Sequence, residues 1–282
     1  CVVDGANLKA NRRLPIFEIS SRAMIKLTLD SNIWFKLVDP SRFSKDPAAT
    51  EIASARSRID AGELLPCMAE TVFSIEPIER KRRMQHFGTY RPSLRVTVSD
   101  TDGNVVTDEL TTGGPAHPGV HPVVQPLLES AIAAGFRLLH CPRLGLARPS
   151  LAEEWFVSES EAQRVERQKL YFECIRAIEQ RGAGIARVKS LAGPYMKPGD
   201  AWYEAIATVP PERHEAIADA IAEWADGDAV AAHVAYKNDY FCTRDVASKA
   251  GVGSILDANN REWLASEYGM RIISPEDLFD IA

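Results

Sequence analysis

The chain contains no run of about 18 apolar residues, the length a helix needs to cross a bilayer. Its opening residues, "CVVDGANLKANRR", lack a basic segment followed by an apolar core, so no secretory leader is visible and a cytoplasmic location is expected. Cysteine is sparse and unpatterned. The five present, Cys1, Cys67, Cys141, Cys174 and Cys242, are odd in number and show no C-x-x-C spacing, which argues against a disulfide framework and against a zinc ribbon. Net basic charge is also missing: the formal charge is −6, unlike that of a protein that coats nucleic acid without specificity. That balance leaves room for a nuclease, because acids that hold metal ions add to the negative count while a local basic strip still meets phosphates. "ERKRRMQH" is such a strip, with Arg80, Lys81, Arg82 and Arg83 in succession, although a solvated helix face is the commonest role of such a run.

What is present suffices for a sizeable core: 45% of the 282 residues are hydrophobic and 26% charged. Met24 opens "MIKLTLD" as a first strand would, so residues 1–23 are set aside as an upstream extension. Within them "CVVDGANL" is similar to the strand-Asp-Gly-Asn opening of a second nuclease family, which makes Asp4 a rival to later acids, but "KANRRLPIF" does not continue the pattern. Residues 24–35 read as a buried strand entering a helix, "DPAATEIASARSRIDA" as a helix begun at Asp46, and "ELLPCMAETVFSIEPIER" as a strand passing into a helix near Val72 to Ile75. "SLRVTVSDTDGNVVTDEL" alternates on both sides of Asp102-Gly103, a hairpin signal. A helix closed by Gly135 and a strand from Phe136 to Cys141 follow, then charge-dense helix from Glu153 to Gln180. The last hundred or so residues alternate again, with a helix broken at Gly227, the strand "YFCTRD", and "YGMRIISPEDL" as a strand and a Pro-led helix. This rhythm predicts an α/β fold with a parallel central sheet and helices on its faces, residues 24–84 and 200–282 forming the core around an α+β insertion at about 85–199.

Acids recur where those strands end. "KLTLD" ends in Asp30 and "YFCTRD" in Asp245, Glu70 and Glu76 lie at the second strand-to-helix passage, and Asp226 and Asp228 flank the expected helix restart. In a parallel sheet these positions meet on one edge, where open α/β folds put their sites. Each acid alone would be a cap or a turn residue. Gathered, they repel one another unless a cation intervenes, and a hard divalent ion such as Mg²⁺ or Mn²⁺ prefers oxygen ligands.

These segments resemble PIN-domain ribonucleases of the kind found in bacterial VapC toxins. "LTLDSNIW" is similar to the family's opening strand-Asp-Ser/Thr-Asn, "DAVAAHVA" to its Asp-Ala-x-x-Ala-Ala helix, "FCTRD" to its strand-Thr-x-Asp, and "YGMRIISPEDL" to its closing strand and Pro-led helix. The resemblance covers about 24–78 and 200–282, and it implies a Rossmann-like α/β/α sandwich that cleaves RNA with Mg²⁺ or Mn²⁺. It further implies Asp30, Asp228 and Asp245 as metal ligands, with Ser31, Asn32 and Thr243 behind them. The family's glutamate is matched by Glu70 or Glu76, with Glu70 favoured, and Asp226 is expected as the N-cap of the helix bearing Asp228. Arg244 and residues 80–83 are expected to meet the RNA backbone. An antitoxin protein and a second copy of the chain are the partners so implied, and a catalytically silent binding module is the alternative to an enzyme. The insertion has no counterpart in the short family pattern.

Other patterns are weaker. "HPGVH" spaces His117 and His121 by four, but Pro118 and Gly119 bar the helix that a zinc motif needs. "GAGIARVK" lacks the third glycine and the preceding strand of a dinucleotide site. His233 is expected to be a packed core histidine, and Trp34 and Phe35 to pack beneath the site.

Overall fold

Alternation in the first strand decides the layers. In β1 (Ile25–Leu29) Leu27 and Leu29 face one side of the sheet and Thr28 the other, so both faces must be covered. The structure is a computed structural model that describes residues 24–76, 78–89, 91–99, 105–113, 117, 119–142, 149–247 and 253–281. Its strands are β1, β2 (Leu64–Ala69), β3 (Arg91–Ser99), β4 (Val105–Gly113), β5 (Arg137–Leu139), β6 (Tyr240–Cys242) and β7 (Ile272–Ile273). A five-stranded sheet runs β5-β2-β1-β6-β7, every pair parallel. The fold is therefore α/β, compatible with a Rossmann-like sandwich. β3 and β4 form a separate antiparallel ribbon, pairing Arg91 with Gly113 through Ser99 with Val105, as the alternating pattern predicts; the Asp102-Gly103 turn lies outside the described residues.

The helices are α1 (Trp34–Val38), α2 (Ala49–Asp60), α3 (Thr71–Ser74), α4 (Arg80–Thr89), α5 (Gln125–Ala133), α6 (Glu161–Gln180), α7 (Ile185–Ala192), α8 (Trp202–Ile206), α9 (His214–Ala235) and α10 (Ala258–Tyr268). Residues of α1, α2 and α5 pack with Leu27, Leu29, Met68 and Leu138 on one face. On the opposite face α6, α9 and α10 pack with Cys67, Ala69 and Phe241. The segment expected as an insertion thus supplies the edge strand β5 and helices to both layers. A third cluster joins α4, α7 and α8 to Ile217, Ile221 and Trp224 of α9. α9 accordingly has two halves: Ala229–Ala235 lie over the sheet, and the turns up to Ala225 carry the outer helices.

Three expectations about helices are corrected. α9 is continuous through Gly227, so Asp226 lies inside a helix and caps nothing. The glycine serves close packing instead, since a Cβ there would come within 3.2 Å of the Gly184 Cα. The Pro-led closing helix is only a 3₁₀ turn, Pro275–Asp277. The helix expected from Val72 is also brief. α3 ends at Ser74 and α4 begins at Arg80, which leaves Glu76 in the connection; Pro77 is not among the described residues.

The outer cluster sets where α4 sits. A Cβ on Gly88 would lie 2.8 Å from the backbone nitrogen of Ala207, a contact that only a backbone shift relieves. Gly88→Ala is expected to destabilise the protein by about 1–3 kcal/mol, the usual cost of overpacking, read as a lower urea midpoint. An unchanged midpoint would show that α4 and α8 are not so closely apposed.

Candidate functional site at the carboxyl edge of the sheet

The chain leaves β1 toward β2 and β5 on one side and later returns to β6 and β7 on the other. The gap between the carboxyl ends of β1 and β6 is therefore a topological switch point, where open α/β sheets form their crevice. Asp30 stands at the end of β1 and Asp245 three residues beyond β6.

Asp30 continues the alternation of β1 and shares the α9 side with Thr28. It is buried, and its backbone nitrogen donates to the Cys242 carbonyl at 3.0 Å. Its Oδ1 accepts from the Ser31 backbone nitrogen at 2.6 Å; its Oδ2 accepts from Asn32 Nδ2 at 2.7 Å and from Thr243 Oγ1 at 2.5 Å. Thr243 Oγ1 also accepts from the Asp245 nitrogen at 2.9 Å, so one hydroxyl couples both aspartates. Asp245 Oδ1 accepts from the Ala247 nitrogen at 2.7 Å in a tight turn that holds Ala247 at a φ of 57°. Arg261, on α10, fastens this turn from outside by donating to the carbonyls of Asp245 and Leu256.

Glu76 and Asp226 enter the same recess from other segments. His233 fixes the phase of α9: its Nδ1 meets Thr28 Oγ1 at 2.9 Å, a hydroxyl that also accepts from Asn238 Nδ2 at 2.8 Å. Seven residues earlier, about two turns back, Asp226 shares that face and overhangs the end of β1. Both Glu76 and Asp226 keep part of their surface open.

The charges of this group act on one another. Burial holds the Asp30 carboxyl above its ordinary range, with Asp245 adding to the effect and the Thr243 and Ser31 donors opposing it. Burial and then Asp30 push Glu76 up to about 8, against the Ser31 hydroxyl and the Arg83 guanidinium. Asp226 is raised well above its usual value by burial and by Asp30, Glu223, Glu76 and Asp245. Glu223, buried one turn before Asp226, is itself raised by burial, although its Oε1 accepts from the Ile255 nitrogen.

The favoured alternatives lie one strand over. Glu70, at the end of β2, accepts from the Cys141 nitrogen at 2.7 Å. Asp228 is fully buried and, about 200° around α9 from Asp226, presents its carbonyl to Cys141 Sγ at 3.8 Å. The edge thus carries Asp30, Glu76, Asp226 and Asp245 at the switch point, with Glu70 bonded to the Cys141 nitrogen and Asp228 touching the Cys141 thiol through its main-chain carbonyl. Among the described residues no three candidate ligands close into a finished metal cage. The fit to a divalent cation is one of charge: Asp30, Glu76 and Asp226 have an excess affinity for protons, which a cation relieves in the same way.

The basic residues divide as well. Arg244 is bidentate on Asp46, at 2.8 and 2.5 Å, and also bonds Glu276 at 2.7 Å. Arg80 pairs with Asp219 and Glu215, and Arg82 with Glu79, while the Lys81 side chain lies outside the described residues. Arg83 is half-buried and donates to the carbonyls of Ile78 and Glu76 at 3.0 and 3.1 Å. Arg261 was invisible in the sequence, since no local pattern marks it. His233 is buried, and burial lowers it to about 3; Trp34 packs edge-on against Phe73 in the core cluster with Leu27 and Leu29. No protein-family model and no curated protein matches the chain.

The sign of the Glu76 shift gives a test. Its carboxyl is raised from 4.5 to about 8, so the folded state binds its proton more tightly than the unfolded state, and ionisation destabilises the fold progressively from about pH 4.5 to pH 8. Glu76→Gln is expected to be more stable than the parent at pH 8 by at least about 1 kcal/mol, the worth of one pKa unit, with the advantage gone by pH 4.5. Thermal melts at the two pH values read this directly, and a pH-independent difference would remove Glu76 from the acidic group.

Proposed function

We propose that this chain is a metal-dependent endoribonuclease with a PIN-like fold. One observation carries the reading: acids from four distant segments converge at the switch point of a parallel sheet, and burial with their mutual charge raises the proton affinity of Asp30, Glu76 and Asp226. Asp30, Asp245, Glu76 and Asp226 would hold Mg²⁺ or Mn²⁺, and Glu70 and Asp228, which the family resemblance favours, are the alternative ligands. When bound, such an ion supplies Lewis-acid stabilisation of a phosphodiester and lowers the pKa of water. The chain's own residues do the positioning. Thr243 and Asn32 fix the Asp30 carboxylate, Thr243 couples it to Asp245, and the Ala247 turn aims the Asp245 side chain. With water as the nucleophile the RNA fragments end in a 3′-hydroxyl. On the same resemblance, a protein antitoxin is the partner to seek.

Labelled RNA incubated with Mn²⁺ is expected to be cleaved by the parent protein, and EDTA, Asp30→Asn or Asp245→Asn to abolish cleavage with the far-ultraviolet circular dichroism unchanged. Glu76→Gln and Asp226→Asn are expected to slow cleavage at least about tenfold, a loss of about 1.4 kcal/mol of transition-state stabilisation, and more than Glu70→Gln and Asp228→Asn do. The reverse ranking would move the centre to Glu70 and Asp228. Cleavage that survives EDTA and both aspartate changes would sink the metal-nuclease reading, and RNA binding without any cleavage would make the chain a silent binding module.

A further inference from the structure

We infer that Arg83 and Arg261 grip the RNA backbone on either side of the acidic recess, in place of Arg244, Arg80 and Arg82. The inference rests on the ribonuclease reading and deepens it.

The contrast lies in what each guanidinium touches. Arg244, Arg80 and Arg82 are bonded to carboxylates, which neutralise their charge on the spot. Among the described residues Arg83 and Arg261 are bonded only to main-chain carbonyls: Arg83 through Nε to Ile78 and Nη2 to Glu76, Arg261 through Nε to Leu256 and Nη2 to Asp245. A carbonyl orients a guanidinium without cancelling its charge. Two bonds along one edge fix the plane of each fork and leave Nη1 of both residues without an acceptor among the described residues. Both side chains are half-buried, so the spare donors belong to ordered groups and not to mobile surface arms.

Placement supplies the second half of the argument. The carbonyls that hold them belong to Glu76 and Asp245, two acids of the recess, and they arrive from different elements, α4 and α10. Arg83 acts electrostatically with Glu76 and Asp226, and Arg261 with Asp245 and Asp30. Cations meant only to neutralise these acids would pair with them directly, as Arg244 does with Asp46. Held beside the acids with an uncancelled charge and a free donor, they suit a group that must approach the recess while carrying negative charge of its own. A phosphate of single-stranded RNA is such a group, and the planar fork matches it.

The test is binding of a fluorescent single-stranded RNA to Asp30→Asn protein, followed by anisotropy between 50 and 200 mM monovalent salt at one fixed low Mg²⁺ concentration. Each phosphate contact contributes about 0.7 to the slope of log K against log salt for a single strand. Arg83→Gln and Arg261→Gln are each expected to flatten that slope by about 0.7 and the double variant by about twice as much, whereas Arg83→Lys and Arg261→Lys keep the slope and Arg244→Gln leaves it unchanged. A purely structural role would lower affinity or melting temperature without altering the slope. Slopes that stay the same in both Gln variants, or that flatten in Arg244→Gln instead, overturn the inference while leaving the nuclease reading intact. Failure of both the Asp30→Asn protein and the parent protein in Ca²⁺ to bind the RNA overturns both.

Discussion

The three donors on the Asp30 carboxylate are the constraint around which this edge of the sheet is arranged. Thr243 and Ser31 oppose the burial and the Asp245 charge that raise its pKa, while Asn32 donates to its Oδ2, and Thr243 and Asn32 are themselves bonded to other elements. Thr243 is delivered by the parallel pairing of β6 with β1 and β7, its nitrogen bonded to the Ile273 carbonyl at 3.0 Å. Asn32 accepts weakly from the Arg244 nitrogen at 3.4 Å, and the Arg244 side chain reaches Asp46, which also takes Lys36 at 2.8 Å. Arg244, the strongest influence on Asp46, holds that carboxyl well below its usual range. A chain of charge-assisted bonds therefore runs from the recess through the β6 loop to α1 and to the start of α2. Arg244 is bound into this brace, which is why it is a poor candidate for meeting substrate.

α9 solves a second problem, that of hanging an acid over the mouth of the sheet from a helix that must also pack. Its sheet-facing half is rich in alanine, with Ala229, Ala231, Ala232 and Ala235 in the core, so the helix lies close to the strands. His233 stays neutral there and acts as a polar peg between the helix and Thr28. The outer half is anchored by Ile217, Ile221 and Trp224 against α4, α7 and α8. Asp226 falls at the junction, where sheet packing has ended and the outer cluster has not closed. The Gly184–Gly227 contact beside it brings α9 close to the start of α7.

The legibility of the site follows from the range of the interactions that make it. Asp30 and Asp245 were readable because strand alternation and parallel pairing are local and periodic, and both positions follow once the strands are identified. The continuity of α9 through Asp226 was not readable, because it depends on packing between Gly227 and Gly184, residues 43 apart in the chain, and Gly227 in isolation signals a break. Glu70 and Glu76 were both placed at one strand-to-helix passage. The chain instead turns between α3 and α4, and that geometry puts Glu76 with Asp30 and Glu70 with Cys141. The edge strand β5 was recognised as a strand yet assigned to an insertion, since three residues give no signal of which sheet they join. Arg261 lies outside every local motif and reaches Asp245 only through the fold.

The two arginine environments express one electrostatic logic. Where Arg244 meets Asp46, each stabilises the charge of the other: hydrogen bonding to Asp46 raises the guanidinium and lowers the carboxyl, and nothing is left to bind. At the recess the opposite holds. Burial lowers Arg83 and Arg261, and burial with like charge raises Asp30, Glu76 and Asp226, so cations and anions alike are less stable in their charged forms than in water. They lie near one another without direct pairing, because main-chain carbonyls hold the arginines off. A ligand of one sign would relieve half of this tension and worsen the rest: a cation satisfies the acids and repels the arginines, and a phosphate does the reverse. A divalent ion together with a phosphodiester answers both at once, so the proposed reactants fit the recess better as a pair than either does alone.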